Sequence, residues 1–357
     1  MLFEPRQTFL GLDISDRSLK AVQFVPSLRG QQRLKGLGYI DLAPGVFDEG
    51  KLKQPAAFVQ ALKQMLSNPR LGKFTTAYTV ASLPESKTFI KLIDIAPLPE
   101  ADIPEAVRSE AEHHIPIPID ETYWDWQQMG GGTKTNARLP ILLGVAPKTI
   151  VESYAQALEQ AELVPAALQI EAVAITRSLL PLDQNVSTSG AMVIDIGATR
   201  TSLIVFDQNS IQFTVSLPIS GRQITEIIAS TLKLSEIEAE KAKILCGLDP
   251  KKCRGAMAQI LHNVMDELLH RINESLSFYQ EHFPQSHKVT QLILCGGGSN
   301  FRAIDDYLSQ SLGLPVVRGN PWRNLEPTKP PLKPDELISF TTAIGLALQN
   351  LLPEQEL

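Results

Sequence analysis

The chain has 357 residues, of which 43% are hydrophobic and 20% are charged, and its formal net charge is -6. This composition is typical of a soluble globular protein, and the length predicts two or three domains with a sizeable core. No block of lysine and arginine stands out, which argues against a nucleic-acid-binding surface. The sequence shows neither a signal peptide nor an apolar run long enough to span a bilayer, so we expect membrane association only through partners.

The three cysteines are Cys246, Cys253 and Cys295. They form no C-x-x-C pair, and their odd number argues against a disulfide framework. We therefore expect Cys246 and Cys253 to be plain small side chains in a chain that works in a reducing compartment.

The predicted elements begin with three strands within residues 9–43 and an amphipathic helix at 55–68, where Phe58, Leu62, Met65 and Leu66 recur at helical spacing. Strands at TAYTVASL and TFIKLIDIA, a helix at PEADIPEAVRSEAEHHI, and strands at ETYWDWQQM and RLPILLGVAP follow. The helix KTIVESYAQALEQAEL and the strand-to-helix segment AALQIEAVAITRSLL then lead to a polar linker, DQNVSTSG.

Two aromatic residues and two histidines in this part have ordinary structural explanations. Trp124 and Trp126 alternate with Asp125, so they lie on one face of a strand, and we expect that face to pack in a core. A peptide-binding face is the alternative if the strand lies at a sheet edge.

His113 and His114 end a helix, where protonated histidine is favourable, so we expect no metal site there.

The pattern of the first strands restarts after the linker, at AMVIDIGATRTSLIVF, residues 191–206. Aligned with the opening stretch, Asp195 falls on Asp13 and Gly197 falls on Ser15. A third strand, SIQFTVSLPIS, follows as it does the first time. The closing segments IEAVAITRSLL and FTTAIGLALQNLL are both small-residue apolar helices. The sequence therefore predicts an internal duplication into two α/β halves that each open with three strands.

The paired aspartates predict a cation site. An aspartate in a hairpin turn is common by itself, but if the halves face one another, Asp13 and Asp195 would repel in one cleft. A Mg²⁺ ion would relieve that repulsion, and Mg²⁺ usually comes with phosphates. The two turns would aim backbone N–H groups at those phosphates, with Gly197 allowing close approach and Lys20 adding a compact positive charge. The neighbouring hydroxyl groups belong to Ser18, Thr199, Thr201 and Ser202.

Two further features could complete such a site. In LILCGGGSNF, an apolar strand leads into Gly296, Gly297 and Gly298, which permit close approach of a ligand to the backbone. Glu240 and Lys243 lie one helical turn apart, and their spacing alone favours a surface ion pair.

Five segments together resemble the phosphate 1, connect 1, phosphate 2, adenosine and connect 2 motifs of the actin/Hsp70/hexokinase superfamily. In order they are GLDISDRSLKAVQF, IEAVAITRSLL, VIDIGATRTSLIVF, LCGGGSNF and FTTAIGLALQNLL, and they span nearly the whole chain. Within that superfamily, RSEAEHHIPIPIDETYWDWQ and PLPEADIPEAV resemble the small extra subdomain of the PilM family of type IV pilus assembly proteins.

The resemblance implies a duplicated ribonuclease-H-like (actin/Hsp70-like) α/β fold with an inserted small α+β subdomain. The first half would comprise residues 1–79 and 164–187, and the inserted subdomain, called 1C-like, residues 80–163. The second half would comprise residues 188–357, with about 222–288 forming a 2B-like part.

The resemblance also implies roles for residues in an ATP and Mg²⁺ site. Asp13 and Asp195 match aspartates that hold Mg²⁺ through water, and Glu171 matches the acid that positions the attacking water in hydrolysing members. The nucleotide-binding residues would be Ser15, Asp16, Lys20, Gly197, Thr199, Thr201, Glu240, Lys243, Gly296, Gly297, Gly298 and Asn300. Phosphate 1 usually has glycine where Ser15 stands, and the resemblance leaves open whether ATP is hydrolysed.

The implied function is that of a cytoplasmic, ATP-binding scaffold of type IV pilus assembly at the inner face of the inner membrane. Its partners would be the cytoplasmic N-terminal segment of an inner-membrane PilN-like protein and other pilus assembly components, with homo-oligomer formation left open. An FtsA-like cell-division protein is one alternative, weakened because the chain ends at LLPEQEL without an amphipathic membrane helix. A small-molecule kinase of the same superfamily is the other, although the inserted subdomain offers no sugar-binding motif.

Overall fold

The computed structural model describes residues 8–27, 31–115, 117–129, 138–181, 189–283, 286–325 and 328–349. Most of the predicted linker at 183–190, and the chain end at 350–357, lie outside the described residues. The chain divides into two compact units. The first takes the described residues of Met1–Leu182, Pro321–Pro330 and Phe340–Leu357, and the second takes those of Asp183–Asn320 and Pro331–Ser339.

The secondary structure alternates strands and helices, close to the predicted order. The strands are β1 (Leu10–Ile14), β2 (Ser18–Pro26), β3 (Gln32–Asp41), β4 (Phe47–Asp48), β5 (Lys51–Leu52), β6 (Leu71–Gly72), β7 (Tyr78–Leu83), β8 (Phe89–Ile95), β9 (Thr122–Gln128), β10 (Leu139–Pro147), β11 (Val164–Ile170), β12 (Gly190–Ile196), β13 (Thr201–Asp207), β14 (Ser210–Leu217), β15 (Val289–Cys295) and β16 (Val316–Arg318). The helices are α1 (Pro55–Ser67), α2 (Ile103–His114), α3 (Lys148–Gln160), α4 (Glu171–Leu179), α5 (Gly221–Leu232), α6 (Glu236–Cys246), α7 (Ala256–His282), α8 (Ile304–Leu312), α9 (Pro334–Leu337) and α10 (Thr341–Ala347).

The main sheet of the first unit has the strand order β11-β7-β1-β2-β3-β6. β1 pairs antiparallel with β2 and parallel with β7, and β7 pairs parallel with β11. The carboxyl ends of β1, β7 and β11 therefore lie at one edge of this sheet, where Asp13 and the start of α4 are found. The buried face packs against α1 and α3 through residues such as Phe58, Leu62 and Tyr154.

Part of the first unit, within the predicted insertion at 80–163, has its own small core. β10 lies between β8 and β9 with antiparallel pairing to both. Val107 and Ala111 of α2 pack against Ile141 of β10 in a separate apolar cluster. Trp124 and Trp126 pack against the same cluster from β9, which confirms the predicted core face.

The second unit repeats the topology of the first. Its sheet contains the order β16-β15-β12-β13-β14, which corresponds strand for strand to β11-β7-β1-β2-β3. The first hairpins share their register, since Asp13 faces Lys20 across the strands and Asp195 faces Ser202 at the equivalent position. The second strand of each hairpin also carries an irregularity at the equivalent place, before Phe24 and before Phe206. The predicted duplication therefore extends to individual strand pairs.

Both small-residue helices lie in the first unit. α10 packs against α4 so closely that a β-carbon on Gly345 would overlap the carbonyl oxygen of Ala174. A β-carbon on Gly11 would likewise overlap the backbone of α10 at Ala343. The prediction placed the α10 segment with the second half, within 188–357, whereas the compact unit that contains it is the first. The predicted boundaries of the inserted subdomain stay a prediction.

The prediction for Cys246 and Cys253 is wrong, because the structure joins them in a disulfide. Their Cα atoms are 5.7 Å apart, a separation that suits a disulfide, because the chain turns back after α6. Sequence spacing alone could not show that turn. Among the described residues, no helix combines the length and apolar character that a bilayer span requires.

Candidate functional site

The first hairpin brings Asp13 and Lys20 together at the sheet edge. Their side chains face each other across β1 and β2, and Lys20 Nζ lies 3.0 Å from Asp13 Oδ2. Both side chains are largely buried, so the aspartate carries its own counter-cation within the sheet. The end of β1 is fixed to its neighbour by a hydrogen bond of 2.8 Å from the Ile14 N–H to the Ser82 hydroxyl of β7.

The turn of this hairpin is closed by Ser15. Its N–H donates to the Ser18 carbonyl at 3.1 Å, and its hydroxyl donates to the same carbonyl at 3.0 Å. The Ser18 N–H in turn donates to the Ser15 hydroxyl oxygen at 3.2 Å. A glycine could make only the first of these bonds, so the serine rigidifies the turn through local side-chain bonding.

Asp16 is directed to another part of the first unit. Its Oδ1 accepts a hydrogen bond of 2.9 Å from the Gly50 N–H, and the Gly50 carbonyl accepts one of 3.0 Å from the Tyr154 hydroxyl. Burial raises the pKa of Tyr154 above its ordinary value, and the negative charges of Glu171 and Asp16 raise it further. Tyr154 therefore stays a neutral donor between the first turn and Glu171, the first residue of α4. Sequence reasoning missed Gly50 and Tyr154, which carry no motif.

The second hairpin has the same backbone with different side chains. The Gly197 N–H donates to the Arg200 carbonyl at 2.8 Å, as the Ser15 N–H does to Ser18. A β-carbon on Gly197 would lie 2.9 Å from that carbonyl oxygen, which explains the glycine. The Arg200 guanidinium donates to the Ser216 hydroxyl of β14 at 2.7 Å. Thr199 lies in the turn itself.

The Gly-rich turn follows β15 and lies against the end of β12. Gly296 has φ +80°, and a β-carbon there would overlap Asp195 Oδ1 and lie 2.5 Å from the Ile196 carbonyl oxygen. A β-carbon on Gly298 would lie 2.5 Å from the Ile196 side chain, whereas one on Gly297 would meet nothing closer than 3.9 Å. Two of the three glycines are therefore required by packing against the second hairpin.

A buried thiol lies beside Asp195. The Cys295 thiol is 3.6 Å from Asp195 Oδ1, and β15 places it next to β12. Burial raises the pKa of Cys295 well above its ordinary value, and the charge of Asp195 and their hydrogen bond raise it further. The thiol thus stays protonated and can donate to the carboxylate.

Lys243 is a buried cation in the second unit, not a surface residue. It is 5% exposed and lies 2.6 Å from Glu240 Oε2. Its ammonium group also donates to the Thr225 hydroxyl at 2.9 Å and to the Gly221 carbonyl at 3.0 Å. Sequence reasoning missed Thr225, although its position one turn after Gly221 on α5 could have suggested it.

Gly221 connects these parts of the second unit. Its N–H donates to the Gly197 carbonyl at 3.0 Å, and a β-carbon on it would lie 3.3 Å from the Gly298 Cα atom. The structure therefore brings Asp195, Gly197, the Gly-rich turn and Lys243 into one continuous cluster. Within the first unit it similarly brings Asp13, Ser15 and Lys20 together.

Three buried side-chain atoms in the described residues of the second unit have no hydrogen-bond partner: Thr201 Oγ1, Gln223 Oε1 and Asn300 Oδ1. The Asn300 amide nitrogen, by contrast, donates to the Asp335 carbonyl at 2.5 Å. Thr201 and Asn300 belong to segments predicted to contact a nucleotide, and buried polar atoms are usually hydrogen-bonded, so these two atoms are candidates for contact with a ligand.

No cluster of metal-ligating side chains exists in the described part of the chain, where no three His, Cys, Asp or Glu residues are grouped suitably. The Mg²⁺ site that the sequence predicts stays a prediction; Mg²⁺ usually retains several waters and takes phosphate oxygens alongside one or two carboxylates. Asp13 and Asp195 have the chemistry for such a role.

Comparison with known families and structures gives a consistent result. The sequence model of the family described as type IV pilus assembly protein PilM matches residues 11–351. A chain of the PilM–PilN type IV pilus biogenesis complex has a TM-score of 0.83 and 28% identity, with 98% of this chain and 100% of that chain covered.

More distant similarities support the fold. MreB5 of Spiroplasma citri bound to AMPPNP has a TM-score of 0.53 at 12% identity, covering 95% of this chain and 94% of that chain. The cell division protein FtsA of Buchnera aphidicola subsp. Schizaphis graminum is 22% identical over 343 residues, covering 82% of this chain and 80% of FtsA. The predicted actin-like α/β fold is therefore confirmed.

Proposed function

The chain belongs to the family of type IV pilus assembly proteins PilM, and on that premise we propose that it is an ATP-binding, actin-like scaffold of type IV pilus assembly. The observation that carries the proposal is the likeness to a chain of the PilM–PilN complex, which extends over nearly the whole of both chains. The family match over residues 11–351 supports the same conclusion.

Two features of the second unit, its closely packed glycine turns and its unsatisfied polar atoms, support the binding of ATP. The glycines at 197, 221, 296 and 298 bring backbone segments together where side chains would block them. The orphaned atoms of Thr201 and Asn300 supply polar groups for a ligand. When bound, Mg²⁺ would neutralise phosphate charge, and Asp13 and Asp195 would hold it through water.

The remaining residues have distinct proposed roles. Ser15, Lys20, Gly197, Thr199 and Thr201 would bind phosphates, and the Gly296–Asn300 turn would approach the adenosine. Asp16 would contact phosphate through its backbone, because its carboxylate accepts a hydrogen bond from Gly50. Glu240 and Lys243 would lie beside the ribose and adenine, with Lys243 also fixing Gly221 through its carbonyl. Glu171 would orient a water at the start of α4.

The proposed partner is the cytoplasmic N-terminal segment of a PilN-like inner-membrane protein, bound in a groove near the 80–163 region. The neighbouring structure is by its own description a complex of PilM with PilN. Docking of that segment would place this chain in the cytoplasm at the inner face of the inner membrane. Nucleotide occupancy would set the shape of the groove.

Calorimetric titration tests both parts of the proposal. The full chain should bind ATP with Mg²⁺, and it should bind a synthetic peptide of the PilN-like N-terminal segment but not the same peptide with its residues shuffled. Recovery of an intact complex after deletion of that segment from the partner would contradict the partner assignment. Absence of ATP binding at millimolar nucleotide would contradict the ATP site.

A further inference from the structure

The disulfide between Cys246 and Cys253 joins two cysteines in very different surroundings. Cys246 is the last residue of α6 and is 7% exposed. Cys253 lies in the exposed turn that precedes α7. In a reducing compartment, where the proposed function places this chain, a disulfide is usually transient and serves catalysis or redox sensing.

The turn around Cys253 favours a reactive thiol. Its neighbours along the chain are Lys251, Lys252 and Arg254, and cationic neighbours stabilise the thiolate, which is the nucleophilic form. The turn is also unusual in its backbone, because Cys253 and Arg254 have φ values of 47° and 55°. Such left-handed conformations are uncommon for residues other than glycine and persist where surrounding contacts hold them. Reduction of the disulfide would remove one of those contacts.

We propose that Cys246 and Cys253 form a reversible oxidation site, in which the exposed Cys253 reacts first with a peroxide and the buried Cys246 then resolves it. The Cys253 thiolate attacks one oxygen of hydrogen peroxide, breaking the O–O bond to give a sulfenic acid and hydroxide. The Cys246 sulfur then attacks the sulfenic sulfur and displaces its oxygen. The two thiol protons end in two molecules of water, so both sulfurs are oxidised and both peroxide oxygens are reduced.

The disulfide closes a short loop that contacts Arg302, just after the Gly-rich turn of the second unit. Within this loop the Leu248 N–H donates to the Arg302 carbonyl at 2.9 Å, and Asp249 lies 3.0 Å from the Arg302 guanidinium. Arg302 lies two residues after Asn300 in the sequence. A β-carbon on Gly247 would overlap the Arg302 backbone. The packing of this loop is therefore tied to the position of the turn.

Cys246, the buried end of the disulfide, lies on the same helix as Lys243. That residue lies on the last turn of α6, three positions before Cys246, and holds the Gly221 carbonyl. Oxidation would thus restrain α6 and the 247–249 loop together, and these contact Gly221 and Arg302, which lie in or next to the cluster assigned to ATP. Because a restrained site loses less conformational freedom on binding, the oxidised protein should bind ATP more tightly, and this part rests on the proposed function.

The oxidation chemistry can be tested by mass spectrometry on the folded, full chain. Trypsin cuts after Lys243, Lys251, Lys252 and Arg254, so a disulfide would link the 244–251 peptide to the 253–254 dipeptide. After peroxide treatment of the reduced protein, that linked species should appear, and a dithiol reductant should remove it. Its absence from the oxidised, folded protein would overturn the proposal.

Two matched variants identify the order of reaction. In Cys246→Ser, peroxide should leave a sulfenic acid on Cys253, which dimedone traps. In Cys253→Ser, dimedone should label neither Cys246 nor Cys295, because both are buried. Labelling of Cys246 in Cys253→Ser at the rate seen for Cys253 in Cys246→Ser would overturn the assignment of Cys253 as the first to react.

A third measurement separates the redox site from the proposed function. The oxidised wild type should bind ATP with Mg²⁺ about fivefold more tightly than the reduced wild type, with a melting temperature roughly 5 °C higher. Cys253→Ser should match the reduced form under both conditions. Equal affinities of the two redox forms would overturn the coupling to ATP. Failure of both forms to bind ATP would refute the proposed function, while the linked peptides would still establish the oxidation site.

Discussion

The first and second hairpins of the duplicated fold share a backbone and differ in charge. β1–β2 and β12–β13 have the same register and the same turn hydrogen bond, and β2 and β13 pair irregularly with the next strand at the same place. Opposite the aspartate, however, the first hairpin has Lys20 and the second has the neutral Ser202. The comparison teaches that the fold preserves strand geometry while the electrostatics of each half are set separately.

The turns differ in the same way. Ser15 adds side-chain hydrogen bonds to the first turn, whereas in the second turn the Gly197 carbonyl accepts a hydrogen bond from the Gly221 N–H. The first turn is therefore closed by its own residues. The second depends on the Gly-rich turn and on α5, so its geometry depends on more distant parts of its unit.

The largest expected effect comes from breaking the ion pair that distinguishes the first hairpin. Lys20→Met should lower the free energy of unfolding of the first unit by about 2–3 kcal/mol, because it leaves a buried carboxylate without its cation. The double variant Asp13→Asn/Lys20→Met should regain a large part of that loss. Urea unfolding monitored in the first unit measures both. Ser202→Ala is the control at the equivalent position and should change stability by less than about 1 kcal/mol. Equal losses in Lys20→Met and Ser202→Ala would contradict the comparison.

The second expected effect concerns the aspartate without an opposing lysine. Asp195→Asn should weaken ATP binding in the presence of Mg²⁺ by about 10–100-fold, because the amide cannot supply the negative charge that the cation requires. Calorimetric titration with and without Mg²⁺ checks this. The loss should disappear when Mg²⁺ is omitted. A loss of the same size in both conditions would mean that Asp195 acts through the fold and not through the cation.

A smaller effect is expected from giving the second turn the side chain of the first. Gly197→Ser should weaken ATP binding by about tenfold, because a β-carbon at 2.9 Å from the Arg200 carbonyl must shift the turn. Gly144→Ala, outside the proposed site, is a suitable control, since its β-carbon would meet nothing closer than the end of the Ile170 side chain, at 3.4 Å. Equal affinities of Gly197→Ser and the wild type would show that the turn tolerates a side chain in either hairpin.

The smallest effect is expected from the reverse exchange. Ser15→Gly should cost about 1 kcal/mol of stability through the lost hydroxyl bonds and the added freedom of glycine in the unfolded chain. It should also strengthen ATP binding two- to threefold, by roughly 0.5 kcal/mol, because it removes a side chain from a phosphate turn. Thermal unfolding and titration measure the two changes. Weaker binding in Ser15→Gly would instead assign the hydroxyl a direct role with the ligand.

The sequence predicted those features that rest on repeated local patterns. The alignment of Asp195 with Asp13 predicted a duplication that the structure extends to strand register, because both halves repeat the same alternation and turn lengths. It also predicted the helix face of Phe58, Leu62, Met65 and Leu66, of which the first three are buried and Leu66 is partly buried against the same core.

The features that were missed depend on contacts between distant segments. The spacing of Glu240 and Lys243 alone favoured a surface pair, and only the packing of α6 against α5 buries the lysine beside Gly221. The disulfide requires the turn after α6, and the contact between Asp16 and Gly50 joins segments with no shared motif. No periodicity in a single segment records such contacts.

The position of α10 has a consequence for the order in which the protein is made. This helix packs against α4 and against Gly11 of β1, yet it is synthesised after nearly all of the second unit. A ribosome-bound chain therefore carries an unfinished first unit, with the apolar surface around Ala174 uncovered, until the last described residues emerge. The second unit has almost all of its residues before that point and can fold first, although its own sequence comes later.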